Sequence, residues 1–219
     1  GTTAPAGRLH LVSESPDAGN DYIFDDYGAG TTQGIYMTKS RGSIAAPANL
    51  AINDQIGWLR FVPRYNGSLG FSAGVSSMES YYRGDGTTGL TDLRLFTSGT
   101  ERMRISETGN VGIGTSTFTA ANPEKLLVDA GTTGSYNVIS GRGSINNYLQ
   151  LNIQDRSNGT SASSGVVATA NNGNESVNFI DMGINSGGYS NTGLPILDGV
   201  NTAYLYATGR NFFIGNGTA

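Results

Sequence analysis

The sequence predicts an all-β fold laid out as two tandem β-rich modules, and three observations carry that expectation. The composition favours strands and turns: 33 of 219 residues are Gly, Thr, Ser, Asn and Tyr are plentiful, and the staple helix formers Lys, Glu and Leu are scarce. Short runs alternate apolar and polar residues between turn signals, of which Asn66-Gly67 is the strongest hairpin signal. Finally, two separate fragments recur at one spacing of 101 residues. Arg41-Gly42-Ser43-Ile44 returns as Arg142-Gly143-Ser144-Ile145, and Asn110, Val111, Ile113 and Gly114 return as Asn211, Phe212, Ile214 and Gly215. A shared offset marks tandem units. The first module is read as residues 1–118 and the second as 119–219, each closing on the recurring fragment.

Composition narrows the function classes. Charged residues make up 14%, well under the usual ~25%. Apolar residues at 37%, with 11 Tyr and 8 Phe, still argue for a folded core. A net charge of −4 disfavours nucleic acid, which needs a basic face, and bulk attraction to anionic lipid. No apolar run reaches the length of a membrane span, and the first residues lack the basic and apolar regions of a signal peptide, so they read as a cut inside a longer chain. With no Cys there are no disulfides and no thiolate metal sites.

Taken in order, the first strand is expected at 8–12, where Leu9 and Leu11 alternate with Arg8 and His10. Short strands follow at 22–24 and 34–38, around the Asp25-Asp26-Tyr27-Gly28 turn, and 47–56 reads as irregular. Strands at 58–65 and 68–75 flank Asn66-Gly67, the latter keeping Leu69, Phe71, Ala73 and Val75 on one face. Trp58 is mid-strand and is assigned to the core. Pro123 with Asn122 as cap predicts one helical turn, followed by a strand at 126–129. Further strands are expected at 136–140, 147–154, 165–170 and 176–184, with Asn171-Asn172-Gly173-Asn174 turning between the last two. A polar-aromatic loop at 185–199 precedes a final pair, 203–207 and 211–215.

The stretch from Leu93 to Ser116 organises the chain. Met103 and Ile105 alternate with Arg102, Arg104 and Ser106, residues 107–110 supply turn chemistry, and Val111 and Ile113 alternate with Gly112 and Gly114. A face with no side chains means another backbone comes close. Glu101-Arg102-Met103-Arg104-Ile105, a polar turn, then Gly109-Asn110-Val111-Gly112-Ile113-Gly114-Thr115-Ser116 resembles the punctuation motif of bacteriophage tail-fibre proteins, and is similar to the fibre repeats of bacterial mosaic trimeric adhesins. Ser40-Arg41-Gly42-Ser43, Asn53-Asp54-Gln55-Ile56-Gly57, Phe61 and Tyr65-Asn66-Gly67 resemble the body of such a module, so the match covers 35–117 well and the rest loosely. Phe118 stands where the family usually has Pro. The resemblance implies an elongated homotrimeric fibre, its chains intertwined around a three-fold axis, deployed outside the cell on a virion or a bacterial surface. Met103, Ile105, Val111, Ile113, Phe212 and Ile214 are expected to face that axis, because so small a strand pair needs partners.

Little in the sequence is built for catalysis. His10 is the only histidine, so zinc and Ser-His chemistry lack material. Asp17, Asp21, Asp25 and Asp26 lack the spacing of a calcium loop and read as a solvated acidic loop. Gly112-Ile113-Gly114 has no helix after it and is not a dinucleotide fingerprint. Arg83-Gly84-Asp85 spells an adhesion tripeptide but reads as a turn, and the four Asn-x-Ser/Thr triplets matter only in a eukaryotic secretory route. No cofactor and no metal are expected. Aromatic loops are the better candidates, since a Tyr ring offers a flat apolar face and a hydroxyl with few torsions to freeze. Tyr22, Asp26, Tyr27, Tyr81, Tyr82, Asp85, Tyr189 and Asn191 are the expected ligand contacts. The leading reading is non-enzymatic attachment to a surface glycan or envelope component of a target bacterium. A spacer that binds nothing and a surface-glycan hydrolase are the alternatives.

Overall fold

A computed structural model describes residues 35–70, 75–174, 176–191, 193, 197–215 and 217; the strands expected at 8–12 and 22–24, with His10, Tyr22, Asp26 and Tyr27, lie outside the described residues. The fold is all-β, with no α-helix among the described residues. The strands are β1 (Arg41–Gly42), β2 (Pro47–Ala48), β3 (Gln55–Phe61), β4 (Arg64–Tyr65), β5 (Ser68–Leu69), β6 (Ser76–Tyr82), β7 (Thr91–Thr97), β8 (Thr100–Ile105), β9 (Val111–Ile113), β10 (Leu126–Val128), β11 (Ser163–Thr169), β12 (Phe179–Asn185) and β13 (Ala203–Ala207). The chain divides into two units, Gly1–Ser140 and Gly141–Ala219.

The first unit holds a six-stranded sheet in the order β10-β9-β8-β7-β6-β3. Every neighbouring pair is antiparallel except β9 with β10, which runs parallel. Two small hairpins, β1–β2 and β4–β5, stand apart from it. Asn66 and Gly67 close the β4–β5 hairpin with φ of 48° and 74°, the doubly left-handed geometry that a two-residue turn needs. Ser98 and Gly99 do the same for β7–β8, with φ of 51° and 71°. The motif at 100–113 forms as expected: β8 and β9 pair in register Met103↔Ile113, Arg104↔Gly112 and Ile105↔Val111. Its turn is held by the Ser106 amide donating to the Asn110 carbonyl at 2.8 Å and the Gly109 amide to the Ser106 carbonyl at 2.9 Å. The bare face at Gly112 and Gly114 is used by this same chain. A Cβ at Gly112 would strike the Thr115 carbonyl, and one at Gly114 the Asp129 carbonyl just past β10.

The register sorts this sheet into two faces. Leu59, Met78, Leu95, Met103, Ile113 and Val128 line up across all six strands, with Ile105, Val111 and Leu126 beside them. The opposite face carries Arg60, Glu79, Tyr81, Asp92, Arg94 and Arg104. Burial runs against the usual order. Among the described residues Val75 and Tyr82 are the buried hydrophobic side chains, while Ser77, Glu79, Asp92 and Asn110 of the first unit are buried polar ones. Leu59, Phe61, Met78, Ile105, Ile113 and Leu126 stay exposed.

The second unit holds one antiparallel sheet, β11-β12-β13. Val166, Met182 and Leu205 align on one face and are exposed, while Val167, Asp181 and Tyr206 align on the other. The turn at 171–174 sits between β11 and β12 as expected, closed by the Gly173 amide on the Ala170 carbonyl at 2.9 Å.

Several expected elements are corrected. The strands read at 58–65 and 176–184 form as β3 and β12 with shifted ends, and of 68–75 only Ser68–Leu69 is a strand among the described residues. Pro47–Ala48 is a strand inside the stretch read as irregular. Segments 35–38, 136–140, 147–154 and 211–215 show the right composition but join no ladder among the described residues; alternation alone does not supply the neighbouring backbone that a strand must bond to. Strand β13 therefore pairs with β12 and not with 211–215. The helical turn at Pro123 does not form; a single turn is a costly nucleus, and the Glu124 carboxylate instead accepts from the Thr119 hydroxyl at 2.7 Å and amide at 3.0 Å. Trp58 is not core: it lies exposed, with the Arg60 guanidinium 4.6 Å from its ring centre. The repeated fragments differ locally, since Arg41–Gly42 pairs and 142–143 does not.

Candidate functional site

Four of the residues expected to face a symmetry axis share one patch. Met103 and Ile105 on β8 lie directly opposite Ile113 and Val111 on β9, so all four side chains leave the sheet on one side. Ile113 keeps 40% of its surface exposed and Leu59, further along the same face, keeps 53%. Phe212 and Ile214 are exposed too, but sit in the second unit outside any strand.

Behind that patch the polar face is tightly tied. Asp92 has a fully buried carboxylate, with Arg94 at 2.8 Å, Arg104 at 3.6 Å and Arg83 at 3.7 Å. Glu101 pairs with Arg104 at 2.8 Å. Glu79 accepts from Ser77 and Tyr81, each at 2.7 Å, and from Arg60 at 3.1 Å. Burial works to raise the Glu79 carboxyl, but the bonds from Tyr81, Ser77 and Arg60 together carry it below its ordinary value. The same environment, burial first and then Glu79, pushes the Tyr81 phenol up to about 12.

The loop at 83–90 uses its expected contact residues internally. Tyr82 is 8% exposed; its hydroxyl donates to the Thr88 carbonyl and accepts from the Gly86 amide. Asp85 accepts from the hydroxyls and amides of Thr87 and Thr88, the Thr87 hydroxyl foremost, and these hold its carboxyl far below the ordinary range. Arg83 turns inward to Asn53, Asp92 and Glu107. Tyr81 stacks on Arg94, whose guanidinium lies 3.8 Å from its ring centre. Tyr82 is thus spent on the loop, while Asp85 is exposed and uses only its Oδ1 there.

The loop after β12 differs. Tyr189 helps line a cavity of about 160 Å³ with Phe179, Asp181, Asn185, Tyr204 and Tyr206. Five of these six come from the sheet: Phe179, Asp181 and Asn185 alternate along β12, and Tyr204 and Tyr206 alternate along β13, so all point to the side opposite Met182 and Leu205. Gly165 and Gly183 make room for two of these side chains, since a Cβ at Gly165 would meet the Asp181 carboxylate and one at Gly183 the Tyr204 hydroxyl. Phe179 and Tyr206 meet edge to face with centroids 5.9 Å apart. Asn185 is buried and donates to the carbonyls of Leu197 and Gly199, which fixes the return of the loop. Tyr204 donates to Asp181 Oδ2 at 3.3 Å; burial raises its phenol, a bond with Ser163 opposes this, and the nearby Asp181 charge adds to it. Asp181 Oδ1 is buried with no hydrogen-bond partner. Asn191 lies outside this lining; its side-chain oxygen accepts from the Gly193 amide at 3.0 Å. The sequence reading missed Asp181, Tyr204 and Tyr206, although their period-two spacing marks one shared face.

Among the described residues no group of His, Cys, Asp or Glu is arranged to hold a metal ion, and no helix is long and apolar enough to cross a membrane. No protein-family model matches this chain, and no curated protein matches it. Among solved structures, the carboxy-terminal domain of the bacteriophage T5 L-shaped tail fibre aligns with 90% of this chain and 94% of its own, at 11% identity and a TM-score of 0.43.

Proposed function

We propose that this chain is a segment of a homotrimeric extracellular fibre that attaches to the surface of a target bacterium and catalyses no reaction. The observation that supports it most is the inverted burial of the first sheet. Its polar face has buried carboxylates, while Leu59, Phe61, Met78, Ile105, Ile113 and Leu126 remain exposed on the other. A half-exposed side chain of this size gains about 1 kcal/mol when covered, so several per chain reward self-association. Copies of the same chain are the occupant the punctuation motif implies, and three of them make the axis.

A non-enzymatic role is supported by how the acids are used. Asp54, Glu79, Asp85, Asp92, Glu101 and Glu124 are each bound to an Arg, Thr or Tyr of the chain. Glycan hydrolysis needs two carboxylates facing one groove. The partner in this reading is a glycan or other envelope component, reached through aromatic side chains on surfaces that the axis leaves free; Tyr189 is the expected contact best placed for it. Whether the fibre belongs to a virion or to a bacterial surface does not alter the chemistry.

The test is a glycan array and a cell-adhesion assay on the assembled protein, with purified surface polysaccharide assayed for turnover. Binding without turnover is expected. Absence of any hit together with absence of adhesion supports the spacer instead, and release of oligosaccharides supports a hydrolase.

A further inference from the structure

The Tyr189 cavity has a chemistry that selects its occupant. Its lining brings together four aromatic rings, a carboxylate and a buried amide, and no Lys or Arg is among the described residues that line it. Among the described residues Asp181 has no cationic partner: its Oδ1 is buried over Gly165 without a hydrogen-bond donor, and its Oδ2 accepts from Tyr204 alone. An uncompensated carboxylate repels anionic ligands such as uronates, sialates and phosphates. A neutral hydroxyl would give it one ordinary hydrogen bond. A protonated amine gives a charge-assisted bond, roughly twice as strong, and is attracted to the faces of Tyr rings as well. The cavity, about 160 Å³, has roughly five water volumes of room. That suits one ammonium on a compact ring and not a whole oligosaccharide.

We infer that this cavity binds the protonated primary amine of an amino sugar, with Asp181 as its counter-charge and Tyr189, Tyr204 and Tyr206 as the surrounding aromatic walls. The site stands on the strands of the unit: Asp181, Tyr204 and Tyr206 are mid-strand, and the bare Gly165 and Gly183 let the Asp181 carboxylate and the Tyr204 hydroxyl lie flat against the sheet, which fixes both. It opens on the face opposite the exposed Val166, Met182 and Leu205, so covering that apolar face leaves it free. The inference rests on the attachment reading for its ligand source, and sharpens it from a glycan to one cationic sugar.

The experiment is an NMR titration of the full chain in its assembled state at pH 6. The probes are methyl glucosaminide, its N-acetyl counterpart and N-acetyl-lysine amide. The amine sugar is expected to bind with a dissociation constant of about millimolar and at least tenfold tighter than the N-acetyl form. Asp181→Asn should remove that preference, and Tyr189→Ala, at a loop position, should weaken binding with melting unchanged. Equal binding of both sugars, or an Asp181→Asn protein that keeps the preference, overturns the inference and leaves the attachment reading standing. Equal or tighter binding of the lysine amide overturns the assignment to a sugar. If neither sugar binds while the array shows hits, the inference fails alone; if the array is blank and cells are not bound, the attachment reading fails with it.

Discussion

The hydroxyl of Tyr82 donates to the carbonyl of Thr88 at 2.7 Å, and so pins the 83–90 loop to the edge of β6. It also accepts from the Gly86 amide at 2.8 Å. Tyr82→Phe removes both bonds and strands their partners, a loss of about 1–3 kcal/mol. Chemical denaturation should show that loss, while adhesion per folded molecule stays unchanged. Full stability in the variant would mean that the loop is held by something else.

Asp92 is the most demanding polar residue of the first sheet. Three guanidinium groups within 3.7 Å surround a carboxylate with no exposed surface. Asp92→Ala leaves those charges in a partly buried place without their partner, and removing one member of a buried pair costs about 3–5 kcal/mol. A variant within 1 kcal/mol of the parent on denaturation would contradict this.

Stability should fall on both sides of neutrality. Glu79 has its carboxyl lowered by folding, as do Asp54 through Arg41 and Asp85 through Thr87. A lowered folded value means that the contribution is complete above the unfolded carboxylate range, roughly pH 4–4.5, and is lost progressively as pH drops from there towards the lower folded value. Tyr81, raised to about 12, acts in the opposite sense. Its contribution is complete below the unfolded phenol value near pH 10 and is lost as pH rises towards 12. Melting temperature followed from pH 3 to 11 should form a plateau that drops at each end, and Glu79→Gln should soften the acid edge. A flat profile down to pH 3 would contradict the carboxylate part.

Gly114 has φ of 77° and no room for a Cβ beside the Asp129 carbonyl. Gly114→Val therefore combines left-handed strain with a clash that separates β9 from β10. A loss above 2 kcal/mol is expected, within the range of backbone-strain variants. Gly109→Ala is the control: Gly109 has a similar φ of 79° but open space around it, so only the strain, about 1 kcal/mol, remains. Equal losses at the two positions would contradict the close approach at Gly114.

Local rules carried the reading where a strand's partner was near in sequence. Asn66-Gly67 is a hairpin, and the strand pair around the 107–110 turn followed from alternation and a short turn. Rules of that kind stop where partners are remote or belong to another chain. Leu149, Leu151 and Ile153 alternate as a strand should, yet among the described residues no ladder takes them. The candidate contacts show a similar limit. Tyr82 and Tyr189 both read as loop aromatics in the sequence, and only the structure shows that Tyr82 ends β6 with its hydroxyl used by the following loop while Tyr189 lines a cavity. Asp181 was overlooked because a single acid mid-strand gives no signal until the bare Gly165 and the ring of Tyr204 are seen beside it.

The central claim is that the exposed apolar faces are the seams of a trimer. Multi-angle light scattering on the purified chain at micromolar concentration tests it most directly. The account predicts a single species with the mass of three chains, and a smaller species for Ile113→Asp. A monomer at that concentration, or an Ile113→Asp protein that assembles unchanged, would contradict it.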